Sequence, residues 1–250
     1  MVRLRDLTHV RVDRVEFESG GGTVRGLYYS TGQSPTCVVL FHGYSASKHN
    51  VDLLAFHLAA EGYSALAIDF LGHKLGASSG PLREGADLVT NALDAVAAAL
   101  RVPGVRHIVA AGHSMGAATA IGAALARQDI EAVIAMATSS SRGRQLTDPT
   151  MLSGLRNRAG YVEGASPDAI TEAMDSWTAR IAEIAPRPLL LIAGRRDALV
   201  SPSAVQALFD AASEPKTFEI IDANHTDCAE RSRFVVIRFL RARGFPALPR

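Results

Sequence analysis

Residues 107–126 read HIVAAGHSMGAATAIGAALA and combine two kinds of local pattern. The stretch begins as an apolar run of strand length and ends as an Ala-rich segment of helical length. Between the two, Gly112-His113-Ser114-Met115-Gly116 has the pattern Gly-x-Ser-x-Gly. A sharp strand-to-helix turn needs these glycines, because they leave room for neighbouring backbone while the central serine is strained. The sequence therefore predicts that the Ser114 oxygen projects from the carboxyl edge of a sheet. There it would meet a helix N-terminus, which favours developing negative charge.

The rest of the chain alternates in the same way between strand-length apolar runs and helical segments. Continuous apolar runs such as TCVVLF at 36–41 are typical of strands covered on both faces. The alternation predicts an α/β fold with a mainly parallel central sheet and helices on both faces. Strands are expected at 9–18, 23–30, 36–41, 64–69, 107–112, 132–137, 188–194 and 217–222, and helices at about 50–61, 85–101, 115–128, 202–212 and 228–243.

Length and composition are those of an ordinary globular chain. The 250 residues, of which 48% are hydrophobic, predict one domain over 1–250, with Cys37 and Cys228 as buried free thiols. A formal net charge of +1 lacks the basic excess of a nucleic-acid binder. The sequence has no apolar leader and no run of the ~18 apolar residues that a membrane span needs. We therefore expect a cytoplasmic protein with neither nucleic-acid nor membrane partners, and the pattern leaves a homo-oligomer open.

One interval, 138–186, contains no strand and is predicted to be a lid or cap insertion, because long loops in compact domains tend to be functional. Ser166-Pro167 is a plausible helix start, with a capping serine and a proline at the first helical position. Apolar residues then recur at helical spacing. These residues could pack onto the body of the protein, form the wall of an acyl pocket, or do both. Met174 and Trp177 are therefore candidate substrate-binding residues. The stripe consists of Ile170, Met174, Trp177 and Ile181.

Four motifs together resemble the α/β-hydrolase fold of serine hydrolases, and the likeness extends from Val24 to Phe245. Within that superfamily, HGYSASK at 42–48 is similar to small bacterial carboxylesterases of the cinnamoyl and feruloyl esterase types. The sequence departs from the family's Asp-x-x-Gly-His-Gly-x-Ser loop by an insertion of Lys74 and Leu75. The motifs are Phe41-His42-Gly43-Tyr44, the segment 64–76 with Asp69, the Gly-x-Ser-x-Gly turn, and 194–200 with Asn224-His225 downstream.

A serine hydroxyl is a poor nucleophile and needs an adjacent base. His225 is the best candidate, because it follows a predicted strand and stands after both the serine and the acid, as in α/β-hydrolases. The base in turn needs a carboxylate to fix its tautomer. Asp197, three residues beyond a predicted strand, is the favoured acid. Asp148, Asp222 and Asp227 are the alternatives, and Asp69 is expected to organise a loop.

The resemblance implies an oxyanion hole made by the backbone N–H groups of Tyr44 and Met115. The Tyr44 side chain could line the substrate pocket or cover the site. The implied activity is hydrolysis of a small-molecule carboxylic ester with a short-to-medium or aromatic acyl group, without metal or cofactor. The same groups could cleave an amide, a thioester or a C–C bond, and a non-catalytic receptor on this scaffold is a further alternative.

Overall fold

Eight strands form one sheet in the computed structural model, which describes residues 9–140 and 157–249. The strand order is β1-β2-β4-β3-β5-β6-β7-β8. The β1–β2 and β2–β4 pairs are antiparallel, and every other pair of neighbours is parallel. The predicted mainly parallel sheet is therefore confirmed. The strands are β1 Arg11–Ser19, β2 Gly22–Ser30, β3 Thr36–Phe41, β4 Ser64–Ile68, β5 His107–His113, β6 Ile130–Met136, β7 Leu189–Gly194 and β8 Lys216–Ile221.

Helices cover both faces of the sheet, and each face has its own hydrophobic core. In β3, Val38 and Leu40 point into one core, whereas Val39 and Phe41 point into the other. This two-sided burial explains why the central strands read as continuous apolar runs. The helices are α1 Asp52–Ala60, α2 Asp87–Leu100, α3 Met115–Ala126, α4 Pro167–Thr178, α5 Pro202–Ala211, α6 Cys228–Arg231 and α7 Arg233–Ala242.

The prediction of one helix over 228–243 was wrong, because α6 and α7 are separated at Ser232. The buried Ser232 hydroxyl donates a hydrogen bond to the Ala229 carbonyl at 2.7 Å. A serine that bonds back to its own helix in this way often bends or ends it. Both cysteines, Cys37 and Cys228, are buried and free, as expected.

The insertion predicted at 138–186 is described only in part, since 141–156 lie outside the described residues. Its later portion is bonded to the loop that follows β4. The Tyr161 carbonyl accepts from the Lys74 N–H at 2.9 Å, and the Glu163 N–H donates to Gly72 at 2.9 Å. This portion is therefore tied to the body of the protein by backbone hydrogen bonds.

Helix α4 begins as predicted, with the Ser166 hydroxyl accepting from the Ala169 N–H at 3.2 Å. It packs against α3, where a Cβ atom on Gly122 would lie only 2.7 Å from the Trp177 ring. Gly122 is eight residues along α3 from Ser114, roughly 12 Å at 1.5 Å per residue. Trp177 thus packs onto α3, and its role as a wall of an acyl pocket stays a prediction. Met174 is 2% exposed within the same core.

Asp69, directly after β4, fastens the loop after β3 to the loop after β4. Its carboxylate accepts from the Lys48 N–H at 2.7 Å, from Lys48 Nζ at 2.6 Å and from the Ala77 N–H at 2.6 Å. Burial by itself would raise the pKa of Asp69, but these hydrogen bonds hold it below its ordinary value. Asp69 therefore organises these loops, as the sequence predicts. Its partner Lys48 was missed, because spacing along the chain does not indicate which cation reaches a buried acid.

The Lys48–Asp69 pair yields a prediction about stability. Lys48→Met should lower the free energy of unfolding by about 3–5 kcal/mol, because it leaves a buried carboxylate without its cation. Lys48→Met combined with Asp69→Asn should recover part of that loss. The measurement is urea unfolding at neutral pH, with Arg180→Met, which breaks a surface pair with Glu183, as the unaffected control. If Lys48→Met unfolds at the wild-type midpoint, the pair does not stabilise the fold.

Candidate active site

The turn at 112–116, which we call the elbow, places Ser114 between β5 and α3. Ser114 has φ 56° and ψ −115°, a conformation that L-residues rarely adopt. A Cβ atom on Gly112 would lie 2.1 Å from the Gly116 carbonyl oxygen, and one on Gly116 would lie 2.2 Å from that of Phe41. Both glycines are therefore required by close backbone contacts. The Ser114 N–H is bonded to the Met136 carbonyl at 2.8 Å, which ties the elbow to β6.

The structure brings together the three residues that the sequence singled out for nucleophilic chemistry. Ser114 Oγ lies 3.1 Å from His225 Nε2, and His225 Nδ1 lies 2.8 Å from Asp197 Oδ2. The three residues follow β5, β8 and β7 respectively, so they meet at the carboxyl edge of the sheet. Because a carboxylate can only accept, Nδ1 carries the proton and Nε2 presents its lone pair to Ser114.

Asp197 is held rigidly by its own loop. Its side chain is fully buried, and its Oδ1 accepts from the N–H groups of Leu199 and Val200, each at 2.8 Å. The second oxygen, Oδ2, is left to face His225. The carboxylate therefore has a fixed orientation before any substrate arrives.

The alternative acids have other partners. Asp222 is largely exposed and lies 3.2 Å from the Arg196 guanidinium. Asp227 accepts from the Asn224 N–H at 2.7 Å and from Arg231 at 2.6 Å, which shapes the loop that carries His225. Asp148 lies outside the described residues. Among the described acidic side chains, the one in contact with the His225 ring is that of Asp197.

Two backbone N–H groups near Ser114 are the predicted oxyanion-binding groups, one at Tyr44 in the loop after β3 and one at Met115, the first residue of α3. Within the described residues, neither the Tyr44 nor the Met115 N–H donates a hydrogen bond. The loop after β3 touches the elbow, because a Cβ on Gly43 would lie 3.4 Å from the Ser114 Cβ. Tyr44 lies within a turn closed by a hydrogen bond from the Ala46 N–H to the Gly43 carbonyl at 3.2 Å. Free N–H groups in this position can donate hydrogen bonds to an anionic oxygen that forms beside Ser114.

The Tyr44 ring packs edge-on against His73, with ring centroids 6.2 Å apart. Its hydroxyl is buried and has no partner among the described residues, and burial raises the pKa of Tyr44. Both roles considered for this side chain, lining and covering, remain predictions.

The inserted Lys74 and Leu75 form a turn that keeps the neighbouring glycine in place. The Gly76 N–H donates to the His73 carbonyl at 2.9 Å, and a Cβ on Gly76 would lie 2.5 Å from the Asp69 carboxyl carbon. Lys74 Nζ also donates to the Gly160 carbonyl at 3.1 Å. The insertion therefore preserves the packing around Asp69 and adds a contact to the segment at 160–161.

Two buried histidines beside the site stay neutral. Burial, together with the neighbouring His73, lowers the pKa of His42 to about 3. Burial alone lowers the pKa of His73 to about 4, against the opposing effects of the Leu71 carbonyl and Asp69. His42 Nε2 accepts from the Phe70 N–H at 3.1 Å, which joins the loops after β3 and β4. Neither ring bonds to Ser114, His225 or Asp197 within the described residues, so we assign both rings a structural role.

The described part of the chain holds no group of three or more His, Cys, Asp or Glu side chains arranged to bind a metal ion. Its helices include none long and apolar enough to cross a bilayer.

Comparison with known proteins places this geometry in a family. Residues 32–162, just over half of the chain, match the family described as serine aminopeptidase, S33. The match includes the elbow and the loop after β3 that contains Tyr44, which we call the Tyr44 loop, but it ends before Asp197 and His225. No curated protein matches the sequence significantly.

Solved structures share the fold at low sequence identity. An esterase of Pyrococcus furiosus is 23% identical with a TM-score of 0.71, and the alignment covers 94% of this chain and 92% of the esterase. A hypothetical protein of Pseudomonas aeruginosa is 20% identical, with a TM-score of 0.70 and 94% of each chain covered. Est1E of Butyrivibrio proteoclasticus, solved with ferulic acid bound, is 17% identical, with a TM-score of 0.71 and coverage of 91% and 98%. The solved structures show the α/β-hydrolase fold, and the family match shows that the chain belongs to the serine aminopeptidase S33 family.

Proposed function

We propose that this protein is a serine esterase in which Ser114 is the nucleophile, His225 the general base and Asp197 the acid that orients it. The observation that carries the proposal is the continuous hydrogen-bonded series from Ser114 Oγ through His225 to Asp197, with contacts of 3.1 and 2.8 Å. A nucleophile within reach of a base, and a base held by a third group, is the arrangement that activates a serine.

In the proposed reaction, His225 Nε2 takes the Ser114 proton as Oγ attacks the ester carbonyl carbon. The carbonyl oxygen becomes an oxyanion, and the N–H groups of Tyr44 and Met115 stabilise it. The C–O bond to the alcohol then breaks, and His225 returns the proton to the leaving oxygen. A water molecule, deprotonated by His225, attacks the acyl-enzyme and releases the acid together with the regenerated serine.

An ester substrate is favoured over the alternatives by the relatives. The Pyrococcus furiosus protein is described as an esterase, and Est1E was solved with an aromatic carboxylic acid bound. Amide cleavage is the second candidate, because the family itself is described as a serine aminopeptidase. Thioester and C–C bond cleavage would use the same groups. The assembled Ser114–His225–Asp197 contacts weigh against a receptor without catalysis.

The acyl group is proposed to be short to medium in length, or aromatic. The stripe on α4 does not support this limit, because its residues pack onto the body. The support comes instead from the likeness of HGYSASK at 42–48 to cinnamoyl and feruloyl esterases and from the ferulic acid bound to Est1E.

The nucleophile can be tested with a fluorophosphonate probe. Wild-type protein should be labelled at Ser114, and Ser114→Ala should lose both the label and about 10⁶-fold in kcat, as removal of a catalytic serine does elsewhere. Ser176→Ala, which alters an exposed serine on α4, is the matched control and should keep both. Full ester turnover by a folded Ser114→Ala protein would exclude Ser114 as the nucleophile.

The acid can be tested independently of the nucleophile. Asp197→Asn should lower kcat about 10⁴-fold, because an amide facing Nδ1 favours the wrong imidazole tautomer. Asp222→Asn changes an acid three residues from His225 that is bonded to Arg196, and it should leave kcat near the wild-type value. The opposite ranking of these two variants would mean that a different carboxylate orients His225.

The scissile bond and acyl length can be tested with matched nitrophenyl esters and nitroanilides of the same acyl groups. We expect higher kcat/KM for the esters, with the best values at about two to eight carbons or with cinnamoyl. Each methylene buried in the pocket is worth at most ~0.8 kcal/mol, about fourfold in kcat/KM, and nothing once the pocket ends. Faster cleavage of the anilides would favour a peptidase, and a rate still rising at sixteen carbons would favour a lipase.

A further inference from the structure

His113, the residue before Ser114, contacts the loop that carries His225. Its Nε2 lies 2.6 Å from the His225 backbone carbonyl oxygen, and the two imidazole rings lie 4.8 Å apart between centroids. The Gly-x-Ser-x-Gly pattern itself allows any residue at this position, so the elbow does not require a histidine. The contact is therefore a property of this sequence, and the proposed reaction leaves it unexplained.

The protonation of His113 follows from its surroundings. A carbonyl oxygen can only accept, so the proton of the neutral ring must sit on Nε2. Burial, with a smaller effect of the nearby His225, lowers the pKa of His113 to about 3. Its Nδ1 side faces Gly43, where an added Cβ would lie 3.2 Å away. His113 is thus a neutral donor wedged between the Tyr44 loop and the His225 loop.

Other contacts hold the His225 loop at its two ends. The Ala223 carbonyl accepts from the Arg196 N–H at 2.9 Å, and Asp227 accepts from the Asn224 N–H at 2.7 Å. The first bond joins the His225 loop to the loop that carries Asp197, and the second lies within the His225 loop. On the side of the loop that faces Ser114, the His225 backbone carbonyl is bonded to the His113 side chain.

We propose that His113 is a positioning residue whose Nε2–H bond to the His225 carbonyl sets the distance between the base and the Ser114 oxygen. The proposal rests on the proposed function. The elbow would then fix both partners of the proton transfer. Ser114 provides the nucleophile, and His113 positions the base, His225. Because the donor is neutral, His113 does not repel the imidazolium that forms at His225.

The variants His113→Leu and His113→Gln separate this role from simple packing. Leucine fills similar space without a donor, whereas the terminal amide of glutamine can donate from near the Nε2 position. His113→Leu should lower kcat about 10²-fold, the cost of misplacing a catalytic group by about 1 Å, with KM little changed. Fluorophosphonate labelling should slow in parallel. His113→Gln should recover most of both rates.

His107→Leu is the matched control, because His107 is the first residue of the same strand, β5, and pairs with Glu131 at the opposite end. It should leave kcat at the wild-type value. Equal losses in kcat for His113→Leu and His113→Gln, or no loss in either, would overturn the proposal.

A second measurement does not depend on turnover. The measurement is NMR of the imidazole nitrogens in ¹⁵N-histidine-labelled Ser114→Ala protein. The signals of His113 are assigned because they are missing from the spectrum of a Ser114→Ala/His113→Gln protein. They should show a neutral ring with its proton on Nε2 throughout pH 5–8. An Nδ1–H tautomer or a cationic ring would overturn the proposal even if His113→Leu does not fold. If wild-type protein showed neither ester turnover nor fluorophosphonate labelling, the proposed function would be refuted. The His113 tautomer would still test the hydrogen bond from His113 to the His225 carbonyl.

Discussion

The close approach of α3 to β3 is the constraint on which the site depends. At Gly116 the helix backbone lies so near the Phe41 carbonyl that a single Cβ atom would overlap it at 2.2 Å. This contact allows the chain to leave β5 and enter α3 within one residue, and Ser114 absorbs the change in direction through its positive φ. Such strain persists only where surrounding structure over-determines it. Here the hydrogen bond from the Ser114 N–H to Met136 and the two glycine contacts provide that support.

Strain and buried polar contacts concentrate at one edge of the sheet. The three described non-glycine residues with positive φ are Ser45, Ser114 and Ala137, which follow β3, β5 and β6. The Lys48–Asp69 pair lies beside the first of them and fixes the loop that presents the Tyr44 amide. A buried ion pair adds little stability over apolar packing, but it specifies one arrangement of its loops. Placing it next to strained backbone restricts that backbone to a single conformation.

The predictable features were those whose cause is local. Glycine spacing around Ser114, the cap at Ser166 and the apolar runs of the strands each reflect contacts within a few residues, so the sequence indicates them directly. Among partners distant in sequence, Ser114, His225 and Asp197 were predicted from their order along the chain and the family resemblance, whereas others were not predictable. The stripe containing Trp177 signals burial, but periodicity does not say whether the helix faces the site or α3. Lys48 and His113 carry no spacing signal toward Asp69 and the His225 carbonyl, because those contacts exist only after the sheet has aligned distant loops.

The proposed reaction needs one imidazole beside Ser114 to accept its proton, and the histidines around the site differ in their surroundings. His42, His73 and His113 surround the site, and burial lowers the pKa of each to between about 3 and about 4, so these rings remain neutral. His225 differs in two respects: its side chain keeps 16% of its surface exposed, and Nδ1 faces a buried carboxylate. The buried acid Asp69 is paired with Lys48, which holds its pKa below the ordinary value, so it does not compete for the proton. In the proposed reaction the proton goes to the ring that faces the serine, because the neighbouring buried rings are poor bases.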